Sequence, residues 1–187
     1  MKLNSYGHYT EDGLYRITAV ERTPTLGKTS SIKELMETGA FPGDLRIAGE
    51  SGVVLTDRTV RFGDIYKLGT LGDRRVEFAL TSEIRDGKRV KVLYSGTFKD
   101  VVTPKSARLI GHVHPNTHKN QRWPSPGDMK VLSAKYFRQL EVNPNIKPQP
   151  SRIFWGEGDF DNTIFFPGYG KEYSKELLEA MKPKLRH

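Results

Sequence analysis

Two alternating runs on either side of Asp86-Gly87 constrain the fold more than any other part of the chain. VEFALT, residues 76–81, puts Val76, Phe78 and Leu80 on one face of an extended strand and Glu77, Ala79 and Thr81 on the other. The Asp-Gly pair favours a tight turn, and RVKVLYSG follows it, so the segment reads as a β-hairpin. A hairpin with an apolar face needs a second layer to cover it. Helix signals supply that layer. Ser30 or Ser31 caps a short helix, IKELMET, that Gly39 ends; a second helix is expected over 125–140, and a third, SKELLEAMK, begins at Ser174. Further strands are expected in LYRITAVER (14–22), ARLIGHVH (107–114), RIFW (152–155) and TIFF (163–166). VNPNIKPQP, 142–150, carries three prolines and is an irregular connection. Residues 41–75 are rich in Gly and Asp and read as short β-like pieces such as GVVLT and TVRFG. The expectation is a mixed α/β chain, most regular from about residue 70 to 170.

The 187 residues are enough for one domain with a core, or a domain plus an extension. There is no cysteine, so disulfides, thiolate ligands and thiol nucleophiles are excluded, and any metal must be held by His, Asp or Glu. No apolar run approaches the roughly 20 residues needed to cross a bilayer. The start, MKLNSYGHYTEDGLY, lacks the apolar core of a secretory signal; a cytoplasmic address and no membrane partner are expected. A formal net charge of +8 permits a nucleic-acid partner. The cations are scattered, however, and the clusters Arg85–Lys91 and Lys182–Arg186 read as solvated faces rather than a groove. Gly-Lys-Thr-Ser at 27–30 resembles the end of a phosphate-binding loop, but the glycine that motif requires is replaced by Arg22.

Two of the five histidines stand one residue apart in Gly-His-Val-His-Pro, 111–115. In a strand, His112 and His114 share a face, roughly 6.5–7 Å apart at the backbone, close enough for both imidazoles to reach one metal ion. Leu109, Gly111 and Val113 are then expected on the opposite, core-facing side, and Pro115 ends the strand. Ser125-Pro126-Gly127-Asp128 has a reading without metal: serine at the N-cap, proline at the first helical position and an acid at N3. It is also a stable place to hold an Asp ligand, and the two readings are compatible. Glu77, an acid in an apolar strand, reads either as solvent-facing or as a carboxylate that exchanges a proton beside a metal.

Taken together, His112-Val-His114-Pro115, Ser125-x-x-Asp128 and the upstream Glu77 resemble the signature of the JAMM (MPN-plus) metalloproteases, over roughly residues 70–170. The resemblance implies a central mixed β-sheet flanked by helices, with residues 1–68 an N-terminal extension or small β-rich part and residues 69–187 the metallopeptidase core. It implies Zn²⁺ held by His112, His114 and Asp128, Glu77 as general base, and Ser125 steadying the oxyanion. The implied activity is hydrolysis of a peptide or isopeptide bond on a ubiquitin-like or other flexible protein tail, a toxin or effector domain being one form of it. The alternatives are a non-catalytic scaffold of the same fold and a nucleic-acid-associated protein. Between the second histidine and the serine this chain has ten residues, Pro115–Pro124, where the family typically has about seven. Glu83 is the fallback base, and His118 the fallback ligand.

Overall fold

The computed structural model describes residues 3–9, 15–21, 27–41, 43–115, 119–157 and 159–167. In chain order the elements are β1 (Leu3–Tyr9), β2 (Tyr15–Glu21), β3 (Thr29–Ser30), α1 (Ile32–Thr38), β4 (Val53–Leu55), α2 (Phe62–Gly69), β5 (Phe78–Arg85), β6 (Lys88–Ser95), β7 (Arg108–Val113), a 3-10 turn (Lys119–Arg122), α3 (Pro126–Val142), β8 (Ser151–Glu157) and β9 (Asp159–Phe165). β1 and β2 pair antiparallel in a two-stranded ribbon. The other strands form one mixed sheet in the order β3-β4-β6-β5-β7-β8-β9, with β3-β4 and β7-β8 parallel and the remaining pairs antiparallel.

The hairpin forms where the sequence predicts it. Asp86 (φ 46°) and Gly87 (φ 72°) both take the left-handed conformation of a two-residue turn, and β5 and β6 pair along their full length. Helices cover both faces of the sheet. On one face Ile32 and Leu35 of α1 and Ile65 and Leu68 of α2 pack with Phe78, Leu80, Leu93, Val113 and Phe154. On the other, Met129 and Leu132 of α3 pack with Ile153 and Phe165. Adjacent strand residues point to opposite faces, so Ile153 and Phe154 assign the two layers.

Three expectations change. Residues 62–69, part of the stretch read as β-like, form α2: Phe62, Ile65, Tyr66 and Leu68 recur at helical spacing and pack inward, and this outweighs the glycines around them. The division expected between residues 68 and 69 falls inside a shared core, since α2 packs on β5, β7 and β8, and β4 hydrogen-bonds to β6. Leu109 does not share the face of Gly111 and Val113. A β-bulge opposite Leu80/Thr81 lets Thr81 pair with Leu109 while Leu80 pairs with Gly111, and Leu109 turns to join Leu132 and Tyr136 under α3. The segment from Ser174, with its expected helix, lies outside the described residues, as does His118. Among the described residues no helix is long and apolar enough to cross a membrane.

Candidate metal centre

β7 lies inside the sheet, between β5 and β8, and delivers both histidines. Its strand geometry extends one residue past Val113, because the His114 amide donates to the Phe154 carbonyl at 2.9 Å. Val113 faces the α1–α2 core, which leaves His112 and His114 together on the α3 face. Gly111 permits this placement. A Cβ there would lie 2.5 Å from the Phe154 ring and 2.9 Å from the Arg152 carbonyl oxygen, so any larger residue would push β7 off β8.

α3 brings the third group. Ser125 caps the helix, its Oγ accepting from the Asp128 amide at 3.1 Å, while the Ser125 amide donates to Asp128 Oδ2 at 2.6 Å. This reciprocal capping box, with Pro126 at the first helical position, fixes the rotamer of Asp128. The same carboxylate turns inward. His112 Nε2 lies 3.0 Å from Asp128 Oδ1, His114 Nε2 lies 3.4 Å from Oδ2, and the two Nε2 atoms are 3.0 Å apart. Cap and convergence are therefore one arrangement, not alternatives.

The donor set suits a cation. Nitrogen and oxygen ligands at about 2.0–2.1 Å from a tetrahedral zinc are about 3.3 Å from one another, close to the separations found here. His114 Nδ1 lies 2.7 Å from the Gln121 carbonyl oxygen, which can only accept, so Nδ1 carries the proton and Nε2 of the neutral ring presents a lone pair. His112 is buried, its ring edge-on to His114 and to Phe165, and its Nδ1 has no hydrogen-bond partner among the described residues. Its polar interactions run through Nε2, toward the point the other two groups face. Burial acts to raise the Asp128 carboxyl, but the two imidazoles prevail and hold it well below the usual carboxylate range. Burial acts to lower His114, and the hydrogen bond and charge of Asp128 outweigh it and raise the imidazole.

Glu77 is buried just before β5, its backbone tied to the β6 side by Glu77 N–H to Thr97 O and Gly96 N–H to Glu77 O. Ala79 pairs with His112, so two residues along the same face Glu77 comes level with His114. Burial pushes its carboxyl up to about 8, with His114 lowering it and Asp128 raising it. Glu83, the fallback base, is committed elsewhere: it accepts from Thr81 Oγ1 (2.7 Å), Tyr94 OH (2.5 Å) and Arg85 Nε (3.1 Å). Trp123 carries the Arg122 guanidinium 4.9 Å above its ring. The sequence reading missed Gln121, which acts through its backbone carbonyl and so has no residue-type signature, and Phe165, whose apolar strand gave no sign that it borders the site.

Comparison of the chain with protein-family models, with curated proteins and with solved structures finds no match.

Proposed function

We propose that the chain is a zinc-dependent hydrolase of peptide or isopeptide bonds, acting on an extended protein tail such as that of a ubiquitin-like protein. The observation that carries this reading is the convergence of His112, His114 and Asp128 with a buried carboxylic acid, Glu77, level with His114 on the same sheet face. His112 and His114, through Nε2, and Asp128 are the residues that would hold the ion. Bound there, zinc would supply Lewis acidity, enough to acidify a water and polarise the scissile carbonyl. Glu77 takes the proton of the attacking water and passes it to the leaving amine; a buried acid raised toward neutrality is matched to both transfers. Ser125 accepts at Oγ from the Asp128 amide and keeps its own hydroxyl proton, with which it donates to the oxyanion. Ser125, Pro126 and Gly127 are exposed, which leaves this side of the centre open to an incoming chain. The choice of a peptide or isopeptide substrate rests on the resemblance of the sequence pattern His112-x-His114, Ser125-x-x-Asp128 and Glu77 to that of the JAMM metalloproteases.

Elemental analysis of protein purified without chelator or a His-tag tests the metal. One zinc per chain, lost in Asp128→Ala, is expected, together with cleavage of tagged ubiquitin-like substrates by the wild type. No metal after zinc is added back would overturn the reading.

A further inference from the structure

Strand pairing gathers cations that are scattered along the sequence. Arg85 is buried and bonded to Glu83 and Tyr94, so it leaves the Arg85–Lys91 cluster. Arg89 and Lys91 of β6 face the other way and meet a third cation. Ser82 of β5 pairs with Lys91 on one side and with Arg108 of β7 on the other, and Ile84 pairs with Arg89. Paired residues share a face, so Lys91, Ser82 and Arg108 form a row about 10 Å wide, with Arg89 and Ile84 in the next row; Arg108, at the start of β7, also borders the crevice under α3 beside Leu109. Arg89 Nη1 donates to Ser82 Oγ at 3.2 Å, which ties the two rows together.

This is the face that bears α1 and α2, but those helices cover only the half around Leu80, Leu93, Val113 and Phe154. In the other half Arg89 and Arg108 are exposed and Ile84 is 51% exposed. The one carboxylate within β5, β6 and β7 is Glu83, on the opposite face inside its own network. Asp57, beyond β4, accepts from the Ile32 amide. No carboxylate among the described residues forms an ion pair with Arg89, Lys91 or Arg108.

We propose that this open half-sheet binds the phosphate backbone of a nucleic acid, on the face opposite His112, His114 and Asp128. Two guanidiniums, an ammonium and a hydroxyl make a flat array of donors matched to phosphate oxygens, and Ile84 lies between them against the sugars. Such contacts position a strand without reading its bases. The net charge of +8 adds long-range attraction.

Fluorescence anisotropy of the full chain with a labelled mixed-sequence duplex of about 30 base pairs tests this. Three phosphate contacts give a log K against log salt slope of about −3, and reversing Arg89, Lys91 and Arg108 together to Glu weakens binding about ten-fold or more. Reversing the exposed Lys33, Lys67 and Lys99 instead, the same change in net charge, leaves most of the affinity. Equal losses in the two triple variants would reduce the effect to net charge and overturn the proposal. So would no binding at about 50 mM salt, or poly-glutamate displacing the duplex from these residues, which would assign the face to an acidic polypeptide. Should the triple variant not fold, acetylation of the native protein decides. Lys91 protected by the duplex relative to Lys33 supports the proposal, and equal labelling overturns it.

Discussion

Ala79 of β5 stands opposite His112 of β7, and that register brings Glu77 level with His114. A strand register is set by a whole face of buried side chains, here Phe78 and Leu80 on the reverse side, so the acid and the imidazole are held by the core rather than by their own contact. Glu77→Gln keeps this packing and removes the titratable proton. Turnover is expected to fall by about 10²–10⁴-fold while zinc per chain is unchanged. A quenched isopeptide substrate and elemental analysis, run on one preparation, check both halves, and full turnover in the variant would place the base elsewhere.

The same carboxyl makes the metal-free protein sensitive to pH. Its folded value of about 8 lies above the ordinary 4.5, so between those values the folded state holds more protons than the unfolded state. Stability from this group is fully present below the lower value and declines as pH rises toward about 8, by an amount on the order of a few kcal/mol. Urea midpoints of chelated protein from pH 5 to 8 should fall in the wild type and fall less in Glu77→Gln.

Lys135 works in the opposite sense. Burial lowers its ammonium from 10.5 to about 7, and Nζ lies 2.7 Å from the Pro104 carbonyl oxygen and 3.0 Å from that of Ala107. A neutral amine has two N–H donors for those two acceptors. Between about 7 and 10.5 the unfolded state binds more protons, so this group's contribution grows as pH rises through that window and is lost as pH falls through about 7. The stability difference between wild type and Lys135→Met, followed from pH 6 to 10, should shift in favour of the wild type at the alkaline end. A flat difference would mean that the amine stays charged.

Ser125 and Asp128 separate capping from ligation. Ser125→Ala removes the acceptor of the Asp128 amide and should lower stability by about 1 kcal/mol with zinc retained. Asp128→Ala loses half of the capping box and an inward-facing ligand, so it should lose zinc as well. Chelator should lower the melting temperature of the wild type and leave that of Asp128→Ala unchanged.

Gly111→Ala tests the placement of the histidine strand. The added methyl meets the Phe154 ring and the Arg152 carbonyl, and the carbonyl belongs to a paired strand that cannot swing away. A loss of about 1–3 kcal/mol is expected, with weaker zinc binding because His112 moves with the strand. Denaturant titration and zinc competition against a chromophoric chelator measure the two effects.

Much of the site was legible because its groups lie in short sequence windows with strong local rules. His-x-His in a strand can only share a face, and Ser-Pro-x-Asp can only begin a helix in a few ways. The hairpin at Asp86-Gly87 was legible for the same reason. What escaped depended on pairing between distant segments. The bulge that turns Leu109 under α3 is a relation between β5 and β7. Glu83 is a fallback base by alternation alone, and only the pairing of β5 with β6 brings Tyr94 to join Arg85 in engaging it. α2 was hidden because Thr59-Val60-Arg61 leads into it with β-branched residues, while the apolar spacing that makes it helical begins only at Phe62.

The capping box leaves Asp128 with two masters. A copy of this chain that had lost its chemistry would still need an acid or its equivalent there to begin α3. His114 has a second employment too, since its Nδ1 holds the Gln121 carbonyl. His112 has none: its Nδ1 meets no partner among the described residues, and its Nε2 faces only the other two groups. Among diverged copies, then, the aspartate would outlive the reaction, and His112 would be the record of whether a centre is still in use.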